Sequence, residues 1–228
     1  MIYAIDLDGT IANPSTAFIA WHNKEFDLGL TAEEARFSYK RFLRLPQVAK
    51  LSSEDLERSR QRARMQPEML LSYAEFDLAS HAVRLLAEHG KVAYYTVRAP
   101  DMLSVTEAWL QHHGFPFSQN VVLCRSVLNK LVQLYQHERD ADMVVLIDDR
   151  YQQMINDFAL LAGGAFPQLS EWQEIVQFVQ QRVQLVAFGA AYLPAIANGL
   201  QVTPLPNWKH VADKNLVTLF LESLRKES

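Results

Sequence analysis

Asp6-Leu7-Asp8-Gly9-Thr10, carried on the apolar run Met1 to Ile5, decides the fold of this chain. The run is short and apolar throughout, the pattern of a buried strand. Directly beyond it, two aspartates two residues apart and a Gly-Thr pair place carboxylates and a tight turn at the strand's carboxyl end. In an open α/β sheet that edge is where ligands bind. A strand ending in Asp-x-Asp can also be a helix cap followed by a turn, so the rest of the chain has to separate the two readings.

Working outward, strand and helix alternate. Ser72-Tyr73-Ala74-Glu75 reads as a capping box opening a helix through Phe76, Ala79, Val83 and Leu86, closed by Gly90. The spacing predicts strands over Lys91 to Thr96, Val121 to Cys124 and Met143 to Ile147. It predicts helices over Pro100 to His113, Leu128 to His137 and Tyr151 to Leu161, and one capped by Ser170 that runs to about Val183. This alternation implies an α/β protein, a Rossmann-like three-layer core with a parallel sheet.

Residues 13–70 read as all-helical. Asn13-Pro14 opens a helix bearing Phe18, Trp21 and His22. A capping box at Thr31 to Glu34 opens a second, running to about Leu45, and Ser52 opens a third that stops at about Pro67. The expected organisation is a core of residues 1–12 and 71–228 with a helical cap inserted at 13–70. Residues 186–228 are a carboxyl-terminal extension whose role the sequence leaves open. Within it, Gly199 to Trp208 carries Pro204 and Pro206 and reads as a loop, and Val211 to Arg225 as an amphipathic helix.

A length of 228 residues allows one full core or a core with a small second lobe. A formal net charge of −4 gives no support for nucleic-acid binding by the whole chain. Cys124 is the single cysteine, which excludes an internal disulfide, and its setting in Val121-Val122-Leu123-Cys124 predicts a buried thiol. Asp6 and Asp8 interrupt the amino-terminal apolar stretch, so no signal peptide is expected. Leu185 to Ala197 is shorter than a membrane span and contains Gly189 and Pro194. The expectation is a cytoplasmic protein with no membrane partner and an oligomeric state the sequence does not give.

Chemistry-bearing residues fall at matching strand ends: Asp6 and Asp8 after the first, Thr96 at the second, Lys130 in the helix after the third, Asp148-Asp149 after the last. Each has a plainer reading alone: Thr96 and Asp148-Asp149 as helix caps, Lys130 as a solvated surface lysine. Together, aspartates from two strands would form a hard, all-oxygen site of the kind Mg²⁺ prefers. A hydroxyl and an ammonium beside it would supply donors for an anion.

This pattern resembles the haloacid dehalogenase-like (HAD) superfamily over residues 1–12 and about 75–183. The resemblance implies an aspartyl-phosphate mechanism with Mg²⁺ as cofactor. Asp6 is then the nucleophile and Asp8 the general acid and base. Asp6, Asp148, Asp149 and Asp8, the last through its main-chain carbonyl, would hold the metal. Gly9 would permit the sharp turn, and Thr96 and Lys130 would hold the non-bridging oxygens. An aspartate at position 8 points to phosphoester hydrolysis, since dehalogenases of the superfamily lack an acid there. An insertion straight after the first motif resembles the mobile cap of many of these enzymes.

Thr96-Val97-Arg98 with Ile147-Asp148-Asp149-Arg150 resembles the 5′-deoxynucleotidase branch and also polynucleotide phosphatase domains. The implied partner is a small phosphorylated metabolite such as a nucleotide, with Gly9, Thr10, Thr96, Arg98, Lys130, Phe18 and Trp21 as substrate-binding candidates. Phe18 and Trp21 could instead be packing within the insertion. The basic residues from Arg36 to Arg64 could face an anionic substrate, or form a solvated face with Glu54 paired to Arg58. A polynucleotide-end phosphatase and a non-catalytic binding module on the same fold remain as alternatives.

Overall fold

The structure, a computed structural model, describes residues 1–166, 168–169 and 171–226. In chain order its strands are β1 (Ile2–Ile5), β2 (Ala12–Asn13), β3 (Ala74–Glu75), β4 (Lys91–Thr96), β5 (Val121–Leu123), β6 (Val144–Asp148), β7 (Val183–Phe188), β8 (Ile196–Ala197) and β9 (Leu200–Leu205). Seven of them form one sheet in the order β5-β4-β1-β6-β7-β9-β8, parallel except for β8, while β2 and β3 make a separate antiparallel pair. This is an α/β, Rossmann-like architecture.

Alternate residues of β1 serve opposite faces, as pleating requires. Tyr3 and Ile5 join a core with Val145, Ile147 and Val186. Ala4 joins the opposite one with Tyr95, Leu146 and Leu185. The first core is covered by α5 (Ala79–Ala87), α6 (Leu103–His112) and α10 (Lys214–Lys226), the second by α7 (Val127–Glu138), α8 (Tyr151–Ala162) and α9 (Trp172–Arg182). Cys124 is buried, as its apolar setting predicts, and burial pushes its thiol up to about 12. Ser170, the expected cap of α9, lies outside the described residues.

Between β2 and β3 run α1 (Ser15–Glu25), α2 (Tyr39–Phe42), α3 (Ser53–Arg64) and α4 (Pro67–Leu71). Ile19, Phe42 and Val48 form a small core of their own there, while Phe18, Ala63 and Leu70 pack onto the first sheet core. Among the described residues no helix is long and apolar enough to cross a membrane.

Three expectations need correction. The capping box at Thr31 forms, with Glu34 N donating to Thr31 Oγ1 at 3.2 Å. It opens only a 3₁₀ turn, Glu34–Arg36, because Phe37 turns extended and Ser38 recaps the chain for α2. The helix expected from Ser72 starts later: Ala74–Glu75 pairs with Ala12–Asn13 as β3, and Glu75 instead accepts from Ser80 N at 3.0 Å. The expected loop at Gly199 to Trp208 is largely β9, hydrogen-bonded along β7. Pro204 is tolerated there because the neighbour on the other side, β8, reaches only Leu200 and Gln201.

Candidate active site

The register of the sheet builds the site. Ile5 is level with Ile147, and Asp6 N donates to Ile147 O at 2.9 Å, so Asp6 leaves β1 beside Asp148 at the end of β6. Thr96 ends β4 on the other side of β1. Lys130 comes from the first turns of α7, whose start is fixed by Ser126 accepting from Asn129 N at 3.1 Å. Its Nζ donates to Asp6 Oδ1 at 2.5 Å and to Asp148 Oδ2 at 2.6 Å, with all three side chains buried. Burial alone would lower the lysine's pKa, but the two carboxylates outweigh it and hold it above the ordinary value.

The loop after β1 is held from three directions. Gly9 has a φ of +101°, and a Cβ there would lie 2.3 Å from Asp149 Oδ2. Only glycine therefore admits both the turn and the approach of Asp149. Thr10 Oγ1 donates to Asp6 Oδ2 at 3.4 Å and accepts from Asp149 N at 3.1 Å. The Thr10 carbonyl accepts from the buried indole of Trp208 at 2.8 Å. Residues beyond 186 thus reach the motif, a role nothing in the sequence pattern announced.

Asp6, Asp148 and Asp149 each offer an oxygen within 4.8 Å of the others. Asp148 is satisfied by Lys130 and by Arg150 N, which donates to its Oδ1 at 2.7 Å. Asp149 Oδ1 is buried, and among the described residues no hydrogen-bond donor reaches it. Burial, reinforced by Asp148 and Asp149 and opposed by Lys130, pushes Asp6 up to about 8. Burial and then Asp148 push Asp149 up to about 6. Carboxylates in this state share either a proton or a cation, and an all-oxygen donor set suits Mg²⁺.

Asp8 does not join that group. Its carboxylate turns to Arg98, which donates from Nε at 3.1 Å and from Nη2 at 2.6 Å. The third nitrogen, Nη1, donates to Thr106 at 3.1 Å. Burial would raise the Asp8 carboxyl, but Arg98 outweighs it and holds it below the usual carboxylate range. Every nitrogen of Arg98 is therefore engaged by the protein itself.

Part of this group floors a cleft of about 690 Å³, while Thr10, a substrate-binding candidate by sequence, and Asp148 are fully buried and do not line it. Asp6, Asp8, Gly9, Thr96, Arg98, Lys130 and Asp149 line it, as does Phe18 from α1. Trp21 does not: its indole donates to Glu25 at 2.7 Å and Ser59 at 3.1 Å within the helical block. Arg60 and Arg64, members of the basic run from Arg36 to Arg64, also line the cleft, as do Tyr39 and Tyr73, which the sequence reading missed. The helical spacing of Arg60 and Arg64 was a usable signal, placing them on one face one turn apart. Arg58 faces elsewhere and pairs with Glu54 at 2.8 Å.

The fold is that of the HAD-superfamily hydrolases. A HAD family hydrolase from Deinococcus radiodurans R1, solved with bound phosphate and sodium, aligns over 98% of this chain and 96% of its own at 15% identity, TM-score 0.50. A HAD-superfamily hydrolase of subfamily IA, variant 1, from Geobacter sulfurreducens PCA aligns over 92% and 96% at 14% identity, TM-score 0.49. No family model matches the chain, and no curated protein does.

Proposed function

We propose that this protein is a phosphatase that hydrolyses small phosphomonoesters through an aspartyl-phosphate on Asp6, with a divalent cation, Mg²⁺ by its donor set, as cofactor. The observation that carries the reading is the setting of Asp6 on the cleft floor, between the Lys130 ammonium and Asp149, whose buried Oδ1 no donor reaches among the described residues. The phosphate bound in the Deinococcus radiodurans hydrolase accords with it.

Asp6 and Asp149, backed by Asp148, would hold the cation, which when bound neutralises the carboxylates and draws charge from the phosphoryl oxygens. Asp6 attacks phosphorus in line; its bond to phosphorus forms as the bond to the leaving oxygen breaks. Asp8, once protonated, gives that proton to the leaving oxygen. Water then attacks phosphorus, Asp8 takes a proton from it, and the bond from phosphorus to Asp6 breaks, returning the carboxylate. Lys130 and Thr96 hold non-bridging oxygens throughout. Arg98 favours the ionised form of Asp8, so loading a proton on Asp8 loosens that grip. The helical block of residues 13–70 acts as the cap that covers the cleft and selects the substrate.

Replacing Asp6 with Asn keeps the shape and removes the nucleophile. Turnover of 4-nitrophenyl phosphate with Mg²⁺ should fall by at least about three orders of magnitude. Equal rates for Asp6→Asn and wild type would reject the mechanism.

A further inference from the structure

We propose that the cleft takes a phosphomonoester bearing a second anionic group at its far end, received by Arg60 and Arg64 while the reacting phosphate sits over Asp6. The proposal rests on the phosphatase reading above and names the substrate class for that site.

Helix α3 sorts its cations by face. Those directed away from the cleft are matched to carboxylates, Arg58 to Glu54 and Arg62 to Glu25. Arg60 and Arg64, one turn apart, both line the cleft. Arg60 reaches Glu57 through Nη2, yet its Nε is buried and among the described residues has no acceptor. Arg64 forms no ion pair among the described residues, though it lies near enough to Asp8 to help hold that carboxyl low, and its guanidinium lies 5.7 Å from the centre of the Phe18 ring. Two cations on one helix face repel each other unless an anion lies between them.

The reacting phosphate does not need them, since Lys130 and Thr96 stand ready at the floor. Phe18, Tyr39 and Tyr73 line the cleft, with the Tyr39 and Tyr73 ring centres 6.0 Å and 5.8 Å from that of Phe18. Phe18 and Tyr73 are buried, and the half-buried Tyr39 ring offers a flat body a surface between the two charged ends. The cleft volume of about 690 Å³ is far more than one phosphate fills and is the size of pockets that hold drug-sized ligands. A nucleoside bisphosphate has all three parts.

Steady-state kinetics with Mg²⁺ on adenosine 5′-monophosphate and adenosine 3′,5′-bisphosphate test this, with 4-nitrophenyl phosphate as reference. The wild type should favour the bisphosphate in kcat/KM by at least about tenfold, the scale of one charge-assisted hydrogen bond. Arg60→Gln and Arg64→Gln should narrow that ratio towards one, chiefly through KM, and Arg58→Gln should leave it unchanged. Equal kcat/KM for the two nucleotides in the wild type overturns the proposal. So does an equal loss on both in Arg64→Gln, which would assign Arg64 to the reacting phosphate. Calorimetric titration of the two nucleotides into Asp6→Asn measures the same preference without turnover. If wild type hydrolyses none of the three esters, the phosphatase reading fails, and the ratio of dissociation constants still decides this proposal.

Discussion

Arg98 grips Asp8 with two hydrogen bonds, from Nε and Nη2, and its third nitrogen is anchored on Thr106. The second aspartate of the motif is thereby fixed as a carboxylate turned away from its three acidic neighbours. Among the described residues no arginine side chain pairs with Asp6, Asp148 or Asp149 in this way, and this separates their behaviour with pH from that of Asp8.

The pair should be visible in stability. Arg98→Gln breaks it, and since the Asp8 side chain is 27% exposed, the loss at pH 7 should be about 2 kcal/mol, below that of a fully buried pair. Asp8 is held below its unfolded value, so its contribution is present above the ordinary carboxylate range and fades as pH falls through the lower folded value. Urea unfolding of both proteins should give a gap at pH 7 that shrinks at pH 3. A gap of the same size at both would assign the loss to packing alone.

Asp6 and Asp149 predict the opposite slope. Their folded values, about 8 and about 6, lie above the ordinary carboxylate value of 3.8. Between those limits the folded protein keeps protons that the unfolded chain has released. Stability in chelator should therefore fall as pH rises from 4 through 8. A cation replaces those protons, so Mg²⁺ should restore most of the loss at pH 8 and little at pH 5. Thermal unfolding across that range, with and without Mg²⁺, checks both signs. A melting temperature in chelator that rises steadily over it would contradict the assignment.

How far the sequence could be read depended on whether a signal was local. The parallel strands, Asp6 and Asp148 were legible because each follows from a short apolar run and the residue that ends it, and Lys130 because it falls early in the helix after the third such run. Cys124 was legible as a buried thiol for the same reason. The grip of Arg98 on Asp8 spans 90 residues, so nothing local signalled it at position 98, which read as a substrate contact and does line the cleft. Trp21 stayed open between a stacking surface and packing within the insertion, because an aromatic on a helix does not show that Glu25 and Ser59 take its N–H. Strand β9 was hidden by Pro204 and Pro206, which mark loops wherever the neighbouring strand is unknown. The start of α5 was masked by a Ser-x-x-Glu pattern that β3 overrides by pairing with β2.

Gly9 is the tightest point of the candidate site. A methyl group there would meet Asp149 Oδ2 at 2.3 Å and Cγ at 2.6 Å, on a backbone with φ of +101°. Gly9→Ala must push Asp149 out of the acidic group or reshape the turn, at about 1–3 kcal/mol of strain. Mg²⁺ affinity by calorimetry should weaken at least about tenfold, and turnover of 4-nitrophenyl phosphate at least about a hundredfold. Wild-type Mg²⁺ affinity in a folded Gly9→Ala protein would show that Asp149 is not a ligand.

The last relationship to test joins the two ends of the chain. Trp208 lies beyond β9, fully buried, and its indole N–H is held by the Thr10 carbonyl. Thr10 in turn bonds to Asp6 and to the Asp149 amide, so the carboxyl-terminal segment props the loop that carries the proposed nucleophile. Trp208→Phe keeps most of the ring packed near Phe188, whose centre is 5.4 Å away, and removes the donor. Leaving the buried Thr10 carbonyl without it should cost about 1–3 kcal/mol of stability. If the bond also positions Asp6, kcat should drop at least about fivefold with KM little changed, because misplacing a reacting group by a fraction of an ångström slows the chemical step more than binding. Phe188→Leu, in the same cluster but with no hydrogen bond to Thr10 to lose, should lower stability comparably and leave kcat near the wild-type value. A kcat for Trp208→Phe that matches Phe188→Leu would reduce the indole to packing.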